Sequence, residues 1–295
     1  MKILVIGSSG YIGKAVSESL KKDYNVDGCD INWFSNENVN FNFDYKLLKN
    51  ISDYDYVLLF AGHSSVTMCL DNYYSAWENN VVNFSYLIKK LNENQVLIYA
   101  SSAGVYGSDG GCYTEEYTFK PFITEYDLTK QLIEKITIDA RCKTIGLRLG
   151  TVNGCFSYNV RSDLLLNHMV KNAIENNKIL CSNRDELRSI LGINDLVRAV
   201  KEIIKKKDIS SNIYNLASFS DTIGNFAEIC SSVFNIPVDY LDDTTSKYSF
   251  KLNCDKFSNE FDFSFDETPF TVINSIKNNF QQIVWTKRNI KKTYE

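Results

Sequence analysis

Residues 126–130 combine two side chains that together can move a proton. Tyr126 and Lys130 stand four positions apart, so a helix would place both on the same face. An ordinary tyrosine phenol has a pKa of about 10, and a nearby positive charge favours its ionised form. The spacing therefore predicts a general base that works near neutral pH. Taken alone, the same spacing is also typical of the exposed face of an amphipathic helix.

Two serine hydroxyls could hydrogen-bond the same substrate oxygen as this phenol. Ser101 and Ser102 follow the apolar run Val96–Ala100, which predicts a buried strand. A hydroxyl at the end of that strand could hydrogen-bond an alcohol or carbonyl oxygen of a substrate. A polar turn is the alternative interpretation of the two serines.

The first thirteen residues predict a strand, a glycine turn and the start of a helix. Lys2–Ile6 is a short apolar run, and Gly7, Gly10 and Gly13 follow it at a GxxGxxG spacing. Glycines permit a tight turn and close approach of the backbone to a ligand, and the helix amino terminus offers N–H groups to an anion. The segment therefore predicts a pyrophosphate site. Its turn is one residue longer than that of the GxGxxG motif.

An acidic residue closes the second predicted strand, Asn25–Cys29. Asp30 stands about 20 residues beyond the glycines, where a carboxylate accepts hydrogen bonds from the hydroxyls of an adenosine ribose. A carboxylate there would repel a 2′-phosphate, so the sequence favours NAD over NADP. The alternative is a turn-forming aspartate in the segment Asp30-Ile31-Asn32.

Composition excludes several classes of protein. The chain is 44% hydrophobic with a net charge of −4, and its basic cluster at residues 287–292 is interpreted as a solvated tail, so we expect no nucleic-acid partner. No run approaches the roughly 18 apolar residues of a membrane span, and the amino terminus is a strand rather than a signal peptide. Two histidines and eight scattered cysteines without a CxxC motif give no support for a metal site. We expect a reduced, cytoplasmic protein that has no membrane partner.

Strand-like and helix-like segments alternate through the first half of the chain. The predicted strands are Lys2–Ile6, Asn25–Cys29, Tyr56–Phe60, Val96–Ala100 and Thr144–Leu147, and the predicted helices are Ile12–Lys21, Ala76–Leu91 and Glu125–Ile138. This alternation predicts an α/β fold with a doubly wound parallel sheet, whose site lies beyond the carboxyl ends of the strands. Those ends carry Gly7, Asp30, Ala61-Gly62, Ser101-Ser102 and Arg148-Leu149-Gly150.

The alternation loosens after residue 150. We predict helices at Ser162–Asn176, Asn194–Lys206, Thr222–Val233 and Thr268–Gln281, and a short strand at Ile213–Leu216. We therefore expect a dinucleotide-binding domain over residues 1–150. Residues 151–295 would form a smaller C-terminal substrate lobe, with some segments returning to the core of the first domain.

In their order and separation, these motifs resemble the extended short-chain dehydrogenase/reductase family, in its nucleotide-sugar epimerase/dehydratase branch. The resemblance covers nearly all of residues 1–235 and rests on the glycine turn, Asp30, Phe60-Ala61-Gly62, Asn79-Asn80-Val81, the segment from Ser101 to Gly107, and YxxxK. It implies a Rossmann fold, NAD as cofactor and a nucleotide sugar as substrate. It also implies a homodimer formed through the helices predicted at Ala76–Leu91 and Glu125–Ile138, to which Tyr86, Leu87, Leu132 and Ile133 could contribute, although core packing explains these four equally well.

The resemblance implies a role for each matching residue. The catalytic residues would be Ser102, Tyr126 and Lys130, and Lys130 would also bind the nicotinamide ribose and lower the tyrosine pKa. The cofactor would be bound by Gly7, Gly10, Tyr11, Ile12, Gly13, Asp30, Asp44, Tyr45, Ala61, Gly62 and Asn80, together with Tyr126 and Lys130. The substrate would contact Ser102, Thr151, Asn167 and Arg188, with Arg188 on its diphosphate. The alternatives are a helix cap for Asn80, a polar helix start for Asn167 and a surface ion pair for Arg188.

Departures from the family pattern reduce the number of reactions that the sequence favours. Gly104 stands where many 4-epimerases have threonine, and Thr151 where many have asparagine. The 4,6-dehydratases carry an Asp-Glu pair after the catalytic threonine, whereas this chain has Ala103-Gly104, which leaves an elimination without an evident acid and base. We therefore predict NAD-dependent oxidoreduction at C4 of the sugar, by a 4-epimerase or 4-dehydrogenase. A 4-ketoreductase would use the same residues, and a non-catalytic dinucleotide sensor is the remaining alternative.

Overall fold

A computed structural model describes residues 1–32, 39–107, 109–117, 121–243 and 248–286. The basic cluster at residues 287–292 lies outside the described residues. The strands are β1 (Lys2–Ile6), β2 (Asn25–Cys29), β3 (Tyr56–Leu59), β4 (Val96–Ser102), β5 (Cys112–Tyr113), β6 (Lys143–Leu149), β7 (Thr151–Asn153), β8 (Asn159–Arg161), β9 (Ile179–Cys181), β10 (Leu187–Gly192), β11 (Asn212–Leu216), β12 (Phe219–Thr222), β13 (Val238–Tyr240), β14 (Lys251–Leu252) and β15 (Val284–Thr286). The helices are α1 (Tyr11–Leu20), α2 (Val66–Asp71), α3 (Tyr73–Trp77), α4 (Asn83–Lys90), α5 (Glu125–Ile136), α6 (Leu165–Asn176), α7 (Ile193–Lys205), α8 (Ile223–Phe234), α9 (Asp255–Phe261) and α10 (Pro269–Asn279).

Six parallel strands form the central sheet, in the order β11-β6-β4-β3-β1-β2. The order reverses at β1, which lies between β2 on one side and β3 on the other. Doubly wound sheets bind ligands beyond the carboxyl ends of the strands at such a reversal. The predicted fold class is confirmed, and it places the glycine turn after β1 at the reversal.

Both faces of this sheet are covered, as the alternation of side chains along β1 shows. Ile3 and Val5 pack into one apolar core with α1 and α7, and Leu4 and Ile6 pack into the other core with α4 and α5. All four are buried. Because successive side chains of a strand point to opposite faces, an apolar run without alternation indicates a strand with helices on both sides.

The second half of the chain contributes strands to the central sheet and to several smaller sheets. β10 lies between β12 and β7 in a small three-stranded sheet. β11, which belongs to the predicted substrate lobe, pairs with β6 at the edge of the central sheet. A segment from beyond residue 150 therefore extends the first sheet, and the division of the chain at residue 150 stays a prediction.

The segment predicted as helical at Ala76–Leu91 is helical, but it is not α-helical throughout. The chain forms α3, then a π-helical segment at Glu78–Val82, then α4. A π-helical segment widens the helix and redirects the side chains within it, and it often occurs at functional sites. Helical periodicity in the sequence does not reveal it. Of the side chains considered for a dimer contact, Leu87 and Ile133 lie in the core of the chain itself, whereas Tyr86 is exposed.

Arg148 lies inside β6, so the expectation that it faces the cleft at a strand end is wrong. The strand continues to Leu149, and the Arg148 side chain is buried. Its guanidinium donates to the Glu134 carboxylate from Nη2 at 2.7 Å and from Nε at 3.0 Å, and to the Tyr106 phenol at 2.7 Å. This pair joins α5 to β6 and stabilises the helix that carries Tyr126.

Replacing Arg148 with methionine would leave the Glu134 carboxylate buried without its partner. We expect the free energy of unfolding to fall by about 3–5 kcal/mol, because an uncompensated buried charge is strongly destabilising. The measurement is urea denaturation. Lys205→Ala, which removes an exposed ion pair with Glu202, is the matched control and should cost about 1 kcal/mol or less. An Arg148→Met variant as stable as this control would contradict the assignment.

Candidate active site

A cleft follows the carboxyl edge of the central sheet where β1, β3 and β4 end. One part of it is lined by residues that include Gly7, Asp30, Asp44 and Tyr45, and the other by residues that include Ser102, Tyr126, Lys130, Thr151 and Arg188. Gly10, Phe60, Ala61 and Gly62 line both parts, so the two are continuous. Tyr11, Ile12 and Gly13 line the second part. The structure therefore brings most of the predicted site residues to one cleft.

Close backbone packing explains the glycines of the turn. A Cβ at Gly13 would lie 2.0 Å from the carbonyl oxygen of Gly7, and a Cβ at Gly7 would lie 2.5 Å from the backbone nitrogen of Ala61. Gly7 also has a φ of +87°, which favours glycine. No side chain caps the amino terminus of α1, whose first N–H groups therefore need partners such as an anion. The turn fits the pyrophosphate of a dinucleotide.

Asp30 supports this turn and remains able to bind a ribose. Its carboxylate accepts from the backbone N–H of Ser9 at 2.9 Å and of Asn32 at 2.8 Å. Each carboxylate oxygen can accept a further hydrogen bond. Asp44 caps the short 3₁₀ helix that begins with Tyr45, and both line the same part of the cleft as Asp30.

Ser102 and Tyr126 meet where β4 approaches α5. β4 extends two residues beyond the predicted strand, and the alternation of its side chains separates the two serines. The Ser101 hydroxyl donates to the buried Glu134 carboxylate, whereas the Ser102 hydroxyl lies near enough to the Tyr126 phenol to lower its pKa. Of the two serines, Ser102 is therefore the one that lies beside Tyr126 in the cleft.

Lys130 connects the same helix to the same strand. Its ammonium donates to the carbonyl of Ala100 at 2.9 Å and lies 5.7 Å from the centroid of the Tyr126 ring. Thr124 and Asp127 form a capping box that sets the start of α5. Tyr126 therefore lies in the first turn of a helix whose beginning and orientation are both fixed.

The electrostatics differ from the expectation that Lys130 lowers the tyrosine pKa. Burial raises the pKa of the Tyr126 phenol to about 12, and the hydrogen bond from Ser102 opposes that shift. Burial lowers the pKa of Lys130 to about 8. A phenol with a pKa of about 12 stays protonated at neutral pH, and a further positive charge beside it would favour the phenolate that acts as a base.

Asn80 and Asn167 are not placed in the cleft. Asn80 is buried, accepts from the His63 backbone N–H at 2.8 Å and donates to the His63 carbonyl at 3.0 Å. The Asn167 side chain accepts from Gly154 N–H at 2.9 Å and donates to the Arg161 carbonyl at 3.0 Å, with no exposed surface. Both amides hold loops next to the cleft, and their roles as contacts to the cofactor and the substrate stay predictions.

The cleft also contains residues that the sequence analysis assigned no role. Arg161 lines it and donates to Asp163 at 2.6 and 3.0 Å and to Ser64 at 3.2 Å. The Arg-x-Asp spacing of residues 161–163 is the local sequence feature that could mark this pair. Tyr248 lines the cleft from far along the chain, and no local pattern marks it.

Three negative observations apply to the residues that the structure describes. No group of three or more histidine, cysteine, aspartate or glutamate side chains among them could hold a metal ion. The described helices fall short of the length and apolarity that a membrane crossing requires. All eight cysteines lie in the described ranges and are free thiols.

Comparison with known proteins identifies the family. The model of the NAD dependent epimerase/dehydratase family matches residues 3–217. The protein CapI of Staphylococcus aureus is 27% identical over 244 residues, which is 70% of each chain, and a UDP-glucose 4-epimerase of Lactobacillus helveticus is 30% identical over 152 residues, 46% of each. The structure of a UDP-glucuronic acid 4-epimerase from Bacillus cereus, in complex with UDP-glucuronic acid and NAD, has a TM-score of 0.84 at 19% identity and covers 96% of this chain and 99% of that one.

The chain therefore belongs to the NAD-dependent epimerase/dehydratase family, which is a family of enzymes. The predicted resemblance is confirmed, as is the prediction of NAD as the cofactor. The glycine turn and Asp30 are the residues that would hold its pyrophosphate and ribose.

Gly13→Ala tests the assignment of the turn. The added methyl group would collide with the Gly7 backbone, which cannot move without displacing the turn from β3. Saturating NAD, at 100 times its Kd, should stabilise the parent protein by about 2.7 kcal/mol. We expect this stabilisation to disappear in the variant, measured by thermal denaturation with and without NAD. Glu18→Ala on the exposed side of α1 is the control and should keep it; an unchanged NAD response in Gly13→Ala would refute the assignment.

Proposed function

We propose that the protein uses NAD to oxidise C4 of a nucleotide-activated sugar and acts as a 4-epimerase. The observation that carries this proposal is the meeting of Ser102, Tyr126 and Lys130 in a cleft that continues to the glycine turn. Similarity to a UDP-glucose 4-epimerase supports the choice of reaction. A 4-dehydrogenase or 4-ketoreductase would use the same three side chains.

Four side chains in the cleft would each have a part in such a reaction. Bound NAD would supply the hydride acceptor. Tyr126 would take the proton of the sugar hydroxyl, and Ser102 would hold the same oxygen. Lys130 would bind the nicotinamide ribose while its ammonium stays on the carbonyl of Ala100. Arg188 lines the same part of the cleft and suits the substrate diphosphate.

Two further predictions from the sequence remain proposals. We propose a homodimer through the outer side of α4 and α5, where Tyr86 and Leu132 retain exposed surface and Ile138 follows α5 with 79% of its surface exposed. We also propose a cytoplasmic location, where the eight thiols stay reduced.

Tyr126→Phe separates catalysis from cofactor binding. We expect turnover of UDP-glucose or UDP-glucuronic acid to fall about 100- to 10,000-fold, because proton transfer loses its general base. NAD affinity should change little. Product formation is followed by mass spectrometry and NAD binding by calorimetry, with Tyr240→Phe as the control, because Tyr240 is exposed outside the cleft. Unchanged turnover would contradict the catalytic role, and a sensor that catalyses nothing would show no turnover in the parent protein either.

The tyrosine pKa gives a second test. A positively charged nicotinamide beside the phenol favours the phenolate, so oxidised NAD should move the pKa of Tyr126 down from about 12. Reduced NAD has a neutral ring and should lower it less. The measurement is a pH titration of the ¹³Cζ resonance of Tyr126 with each form of the cofactor. If the pKa of Tyr126 were equal with both forms of NAD, the charge of the nicotinamide ring would have no effect on the phenol.

A further inference from the structure

The space beside Gly104 is occupied by a carboxylate from α5. A Cβ at Gly104 would lie 2.4 Å from Oδ1 of Asp127 and 3.3 Å from Oγ of Ser102. The backbone of Gly104 itself donates to Oγ of Ser102 at 3.1 Å. Because position 104 has no side chain, the Asp127 carboxylate can lie close to the Ser102 hydroxyl, which would hold the reacting oxygen.

Asp127 uses its two carboxylate oxygens for different purposes. Oδ2 accepts from the backbone N–H of Thr124 at 3.1 Å and from the Thr124 hydroxyl at 2.8 Å, which completes the helix cap. Oδ1 accepts from the phenol of Tyr248 at 2.8 Å. The carboxylate has no exposed surface and accepts from three donors, of which the Tyr248 phenol is one.

Tyr248 comes to this point from the second half of the chain. It lines the cleft together with Phe250, in the same part as Ser102 and Tyr126. Its backbone carbonyl accepts from the guanidinium of Arg188. Tyr248 thus contacts Arg188, the proposed diphosphate ligand, and also lines the end of the cleft that contains Ser102 and Tyr126.

From this arrangement we infer that Tyr248 is a substrate-positioning residue, whose phenolic oxygen accepts a hydrogen bond from a sugar hydroxyl next to the reacting carbon. The phenol donates its proton to Asp127, and the Thr124 hydroxyl lies 3.3 Å from the same phenolic oxygen, so Tyr248 presents that oxygen to the sugar as an acceptor. The inference rests on the proposed function, since it assumes a nucleotide sugar in the cleft.

The test compares the binding of UDP, UDP-glucose and UDP-glucuronic acid to the full-length protein by calorimetry. Reduced NAD is present throughout, so that the sugar is not oxidised. Tyr248→Phe removes the phenolic oxygen and keeps the ring. We expect its affinity for at least one UDP-sugar to fall roughly three- to tenfold, the value of one hydrogen bond, while its affinity for UDP stays the same. Tyr240→Phe is the matched control and should leave all three affinities unchanged.

A second variant tests the geometry independently of the phenol. Gly104→Ala would push the Asp127 carboxylate away and with it Tyr248, so it should reproduce the loss for the sugar without affecting UDP. The inference is overturned if Tyr248→Phe binds the UDP-sugars as the parent protein does, or if it loses UDP and UDP-sugars equally. A parent protein that binds neither UDP nor a UDP-sugar would instead overturn the proposed function, and the inference with it.

Discussion

The hydrogen bond from the Lys130 ammonium to the carbonyl of Ala100 fixes the geometry on which the site depends. It ties the middle of α5 to the end of β4, and these two elements carry Tyr126 and Ser102. Burial lowers the pKa of Lys130 to about 8, whereas the hydrogen bond to the carbonyl favours its charged form. The buried ammonium orients the helix against the strand.

Buried polar groups position much of the rest of the cleft. The Asn80 amide fixes the loop at His63, and the Asn167 amide fixes the loop between β7 and β8. Asp127 caps α5 and holds Tyr248, while the pair of Arg148 and Glu134 anchors the same helix from its other side. Each side chain hydrogen-bonds buried polar groups that would be costly to bury without a partner. The loops of the cleft can therefore be irregular and still have defined positions.

Features that depend on local chemistry could be predicted from the sequence. Gly13 must be small because the chain folds back onto Gly7 within one turn, and a GxxGxxG spacing after an apolar run signals that arrangement. The pair of Tyr126 and Lys130 follows from helical periodicity alone. Features that depend on distant contacts could not be predicted. Tyr248 reaches Asp127 across 121 residues, and the raised pKa of Tyr126 depends on burial that no motif encodes.

In the proposed reaction, hydride leaves C4 of a nucleotide sugar beside Tyr126 and Ser102. Its most direct test is a single-turnover measurement of reduced nicotinamide, by absorbance, with UDP-glucose and UDP-glucuronic acid carrying deuterium at C4 or, as the control, at C3. If hydride leaves C4, reduced cofactor should appear more slowly with the C4 label and at the unlabelled rate with the C3 label. Equal rates with both labels, or no reduced cofactor from any nucleotide sugar, would contradict it.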